Sequence, residues 1–161
     1  MNLRRFCFLA CASISGLIYG ACSSPIDPVV YECQILLETI NKVVTEAQTI
    51  TEGEQPTTDG ENPNLDIWLQ AADTLTQGSE AIAELKVKSP ILKTYQTQIS
   101  EIYSEQAQAT YSMVEAWQKK NLDTALAARE RTQKAGEREK TTGESLNTYC
   151  QNKEQEAQQS T

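Results

Sequence analysis

The 161-residue sequence contains no histidine. That absence removes Ser-His-Asp triads, Cys–His nucleophile pairs, the Glu-x-x-His di-iron sites of helical bundles and most zinc sites. Positive charge is scarce too: 14 Lys and Arg stand against 22 Asp and Glu, a net charge of −8. An acidic surface repels nucleic acid and anionic lipid headgroups, which argues against binding through a basic patch. Large aliphatic side chains are thin. Beyond residue 21, Leu, Ile, Val and Phe supply 25 of 140 residues, about 18%, close to the composition of disordered chains. Their order argues the other way, because they recur at helical spacing. Also missing are the alternation that strands need, a Gly-rich phosphate loop, a Gly-x-Ser-x-Gly elbow and any metal-ligand spacing. Glu137 and Glu139 lie two apart, which on a helix points them away from each other. The chain therefore reads as non-enzymatic, with no cofactor.

The N-terminus is different in kind. Arg4 and Arg5 precede Phe6–Ala21, an uncharged and mainly apolar run of 16 residues. A spanning helix needs about 20 apolar residues, so the run suits a cleaved signal better than a permanent anchor. Leu17-Ile18-Tyr19-Gly20-Ala21-Cys22 resembles the bacterial lipoprotein lipobox, with Gly20-Ala21-Cys22 matching its last three positions and Tyr19 standing where Leu, Val or Ile is usual. The resemblance implies a signal peptide at 1–21, a diacylglyceryl thioether on Cys22, and acylation of the new amino group by a chain such as palmitate. Two or three acyl chains hold a protein stably on a membrane where one does not. Under enteric-type sorting, Ser23 after the lipidated cysteine implies the outer membrane. Without Arg4 and Arg5, 12 bases face 22 acids, a net −10.

Five cysteines are present: Cys7, Cys11, Cys22, Cys33 and Cys150. Two leave with the signal and one takes the lipid. The remaining pair, in an oxidising compartment, reads as a Cys33–Cys150 disulfide; two buried free thiols are the alternative.

Residues 22–28, with Pro25 and Pro28, make a short tether. Cys33, Leu36, Ile40, Val43, Ala47 and Ile50 then follow the 3–4 spacing of a packed helix, placed at 29–51. Gly53, Pro56, Gly60 and Pro63 interrupt the pattern in an acidic loop. Trp68, Ala71, Leu75, Gly78, Ile82 and Leu85 set a second helix at 66–87, with Asn64 or Asp66 as its cap. Ser89-Pro90 opens a third, to about 119, along Leu92, Tyr95, Ile99, Ile102, Gln106, Ala109, Met113 and Ala116. Asn121 or Asp123 caps a fourth, to about 152, before a frayed tail at 153–161. Four Glu-to-Lys pairs at i, i+4 support these helices: 38/42, 84/88, 115/119 and 130/134.

Two of the three connections are short, so the expected fold is an all-α, up-down-up-down four-helix bundle at 29–152. That topology brings the start of helix one and the end of helix four to one pole, where Cys33 and Cys150 stand. Helix four is poor in large apolar residues from Arg129 to Ser145, and Tyr103, Tyr111 and Trp117 are expected to fill the space beside it.

Candidate chemistry is sparse. Asp59, Glu61, Asn64 and Asp66 cluster hard oxygens of the kind calcium takes, but the run lacks the EF-hand glycine offset and its closing Glu, and a solvated acidic loop is the favoured reading. Ala135, Gly136 and Gly143 on helix four suggest a docking stripe for a partner helix, or else close packing within the bundle. The resulting expectation is a membrane-anchored extracytoplasmic lipoprotein, held through Cys22. It would be a binding, scaffold or assembly component of the cell envelope with a protein partner and no nucleic acid. The alternatives are a small-ligand or calcium-binding helical carrier, or an accessory subunit of a membrane complex.

Overall fold

The computed structural model describes residues 27–52 and 64–160. The signal and lipobox positions, Cys22 among them, lie outside the described residues, as do Asp59 and Glu61. The described chain forms four helices packed against each other: α1 (Pro28–Thr51), α2 (Leu65–Glu84), α3 (Pro90–Gln118) and α4 (Leu122–Gln159). No strand occurs among the described residues.

Helix starts follow from short polar side chains placed before proline or an apolar stretch. Asp27 Oδ1 accepts the amide hydrogens of Val29 and Val30 at 2.7 and 3.3 Å, with Pro28 at the first helical position, where its missing N–H costs nothing. Ser89 and Pro90 repeat the device on α3, and Asn121 Oδ1 accepts from Thr124 N at 3.2 Å on α4. Asn64 occupies the cap position of α2 without a side-chain bond to it.

α3 is the central helix. It packs along α2 and along α4, while α1 lies mainly on α2 and meets α4 and α3 sparingly. The core is built from Cys33, Leu36 and Val43 of α1, Ile82 of α2, Leu92, Ile99, Ile102 and Tyr103 of α3, and Ala135, Leu146 and Cys150 of α4. Between α1 and α2 the helices approach closely at Gly78. A Cβ placed there would come within 2.6 Å of Val43 Cγ2. Between α2 and α3, Ser79 and Ser100 bond reciprocally: each hydroxyl donates to the other's carbonyl, at 2.8 and 3.0 Å.

Four expectations need correction. α2 ends at Glu84 rather than 87, although Leu85 and Val87 continue its apolar pattern. The helix stops before them because buried Gln96 of α3 donates its Nε2 to the carbonyls of Ile82, Ala83 and Leu85 (2.7, 3.2 and 2.9 Å), satisfying the end of α2 from outside. With the helix finished, Glu84 and Lys88 no longer sit one turn apart. Only the 115/119 and 130/134 pairs form. The segment 153–159 is helical, not frayed: Lys153 pairs with Glu156 at 2.7 Å and lies 5.8 Å from the Tyr149 ring centroid, in a stretch of good helix formers. Of the three aromatics assigned to α4's flank, only Tyr103 is there. Tyr111 hydrogen-bonds Asp73 on α2, and Trp117 is 49% exposed.

Candidate functional site

Three features bear on function: one end of the bundle, one flank of α4, and a hollow at the opposite end. The first gathers several termini. Cys33 and Cys150 form a disulfide with a Cα–Cα distance of 5.7 Å, closing 117 residues of sequence separation, and both are buried. Glu32, beside Cys33, accepts the amide hydrogens of Lys88 and Ser89 at 3.0 and 2.9 Å, fastening the α2–α3 corner to the first turn of α1. Tyr95 and Tyr149 stack in a tilted pair with centroids 6.2 Å apart, joining the start of α3 to the end of α4. Asp27, the first described residue, caps α1 at this same end. The described chain therefore begins at the disulfide end of the bundle.

On the flank of α4, a polar layer faces α3. Gln106 Nε2 donates to Glu139 Oε2 at 2.8 Å, and Arg138 pairs with Glu105 alongside. Gln106 thus ties α3 to α4 by a side-chain hydrogen bond. Tyr103 is buried next to Glu139, and its hydroxyl has no hydrogen-bond partner. Burial, and then the Glu139 charge, push the Tyr103 phenol well above its ordinary range, so it stays protonated at any ordinary pH.

The stripe proposed for α4 does not lie on one face. Ala135 is fully buried in the core. Gly136 and Gly143 are half-buried, and a Cβ on either would meet nothing within 4 Å. Close packing is therefore not what these glycines do, and the glycine that does permit close approach is Gly78. Changing both Gly136 and Gly143 to Ala should stabilise the fold by about 1 kcal/mol each, because a helix interior favours Ala and there is room for it. Thermal unfolding of the double variant measures this; an unchanged or lower midpoint contradicts the open-space geometry.

At the opposite end, Ala116, Trp117, Lys120, Asn121, Leu122 and Ala125 line an open hollow of about 310 Å³. Trp117, Leu122 and Leu126 are exposed at this end of the bundle. Lys120 turns the chain there with φ of 53°, the left-handed conformation that lets α3 end and α4 begin within three residues. Of the calcium candidates, Asn64 and Asp66 stand exposed at the start of α2; among the described residues no group of three acids or cysteines converges for a metal. None of the described helices is long and apolar enough to cross a membrane. No protein family, curated protein or solved structure matches this chain.

Proposed function

We propose that this chain is an extracytoplasmic lipoprotein, tethered through Cys22, whose up-down-up-down bundle serves as a non-enzymatic binding, scaffold or assembly component of a bacterial cell envelope. The observation that carries the reading is the Cys33–Cys150 bridge. A disulfide between residues 117 apart belongs to an oxidising compartment, and it lies at the end of the bundle where the described chain begins. The up-down-up-down order is supported by the contacts that join the first turns of α1 and α3 to the ends of α2 and α4. The reading of no enzymatic role rests on the sequence: no histidine, and no convergent catalytic set.

A protein partner would find exposed apolar side chains at the far end, around Trp117, Leu122 and Leu126, away from the tether. The alternative of a small-ligand carrier has the hollow beside Trp117 in its favour. Expression of the full chain with its own leader in a bacterial host tests the anchor directly. Metabolic acyl labelling should mark the mature protein and a Cys22→Ser variant should lose both label and membrane fractionation. A labelled Cys22→Ser protein, or an unlabelled wild type, refutes it. Crosslinking in intact cells then asks for the partner.

A further inference from the structure

The acidity of this protein is unevenly spread. Between Glu84 and Glu101 lie sixteen residues, 85–100, with no acid and with Lys86, Lys88 and Lys93; no other stretch after Cys22 runs as long without a carboxylate. All three lysines are exposed, and among the described residues none forms an ion pair. Pro90 and Ile91 between them are exposed as well, Ile91 by 51%. Of the acids at this end, Glu32 spends both carboxylate oxygens on the backbone amides of Lys88 and Ser89 and Asp27 caps α1, which leaves exposed Glu84 at the edge of the stretch.

Position adds to composition. Glu32 fixes the corner to the first turn of α1, which begins at Pro28. From Cys22 to Asp27 the chain reaches at most about 18 Å, so a lipid on Cys22 keeps this end of the bundle within a short distance of the headgroups. The overall charge argues against a general attraction to anionic lipid, but attraction is local: it falls off within a Debye length, roughly 8–10 Å at physiological salt. An exposed turn with three free ammonium groups and an apolar tip is therefore governed by its own charges more than by those at the far end.

We infer that the α2–α3 corner, residues 86–93, seats the anchored domain on anionic lipid headgroups, with Lys86, Lys88 and Lys93 over the phosphates and Ile91 at the interface. The inference rests on the lipid anchor proposed above. It also fixes an orientation. The end of α4, with Glu154 and Glu156, lies at this same pole, Glu156 paired with Lys153, so the seated domain must tilt to bring the corner rather than these acids to the surface.

The test uses the full acylated protein reconstituted into phosphatidylcholine vesicles with and without phosphatidylglycerol, read by amide hydrogen exchange. Amides of 86–93 should exchange more slowly only when the anionic lipid is present, and those of 150–159 should not change. Lys86→Glu, Lys88→Glu and Lys93→Glu together should abolish the difference. Each lysine near an anionic surface contributes about fivefold to association, so the three together account for on the order of a hundredfold. The substituted side chains are exposed, and an unchanged thermal midpoint confirms that the triple variant folds. Acylated, vesicle-bound protein with the same exchange in both lipids, or with protection at 150–159 instead, overturns the seating and leaves the anchor standing. Protein recovered without acyl chains overturns both.

Discussion

Replacing Cys33 and Cys150 together by Ala should lower the stability of the fold by about 5 kcal/mol, the chain-entropy value for a loop of this size. The cross-link spans 117 residues, so the unfolded chain gains nearly all of its freedom when the bond is removed. The loss should not be even along the molecule. α1 and α4 touch sparingly, and the bridge joins them directly. Without it, α4 is held mainly by α3, through a seam of Ala125, Ala128, Ala135 and Leu146 and the Gln106–Glu139 hydrogen bond. Hydrogen exchange after reduction should rise first over 129–150. Uniform protection across the four helices after reduction contradicts this. Because both cysteines are buried, a thiol reductant reaches the bond only when the end of α4 opens. Reduction should therefore be slow in native buffer and accelerate steeply in mild denaturant.

Leu146→Ala should cost about 3 kcal/mol, within the range for emptying a fully buried leucine site. Its effect is out of proportion to one side chain because α4 buries no other large aliphatic residue. The rest of its buried positions are three alanines and Cys150. Leu146 stands one turn before Cys150, so its loss leaves the disulfide as the main constraint on that end. Urea unfolding of Leu146→Ala should show a lower midpoint with the bridge intact. Combined with the cysteine substitutions, the loss should exceed the sum of the separate effects, since each variant removes what holds α4 for the other. Strict additivity would mean that α4 is fixed by contacts along its whole length.

Much of the fold is legible in the residues. Ser89-Pro90 and Asn121 mark two helix starts because capping is local chemistry, and the 3–4 spacing of Cys33, Leu36 and Val43 names the buried face of α1 directly; Pro28, read as tether, instead opens α1 because Asp27 caps it. The disulfide is legible for a different reason: with Cys7 and Cys11 assigned to the proposed signal and Cys22 to the proposed lipid, two cysteines remain, and a bundle puts them at one end. What escapes the sequence is tertiary. Nothing around Leu85 says that the helix stops before it; the stop is imposed by Gln96, eleven residues on, whose amide takes the last carbonyls of α2. Tyr111 and Trp117 lie on the same helix as Tyr103, yet they point to α2 and to solvent, a matter of helix phase that spacing alone leaves open. The helical continuation past Cys150 is carried by the good helix formers Gln, Glu, Lys and Ala at 151–159, which keep the end of α4 from fraying.

The site is less legible than the fold. Two glycines on α4 suggest a stripe, and the structure separates them from buried Ala135. The corner at 86–93 is the converse: its charge is plain in the sequence but gains meaning only when Glu32 ties it to the start of α1.

That corner also sets how a protease meets the molecule. Lys86 and Lys88 are exposed cleavage points for trypsin, but the connection is fastened on one side by Gln96 and on the other by Glu32. A bond must lie extended across a protease cleft to be cut, and here straightening the connection breaks the Gln96 bond to Leu85 and both Glu32 bonds. The enzyme would find its preferred side chains displayed on a knuckle that does not unbend, and digestion must begin elsewhere in the chain.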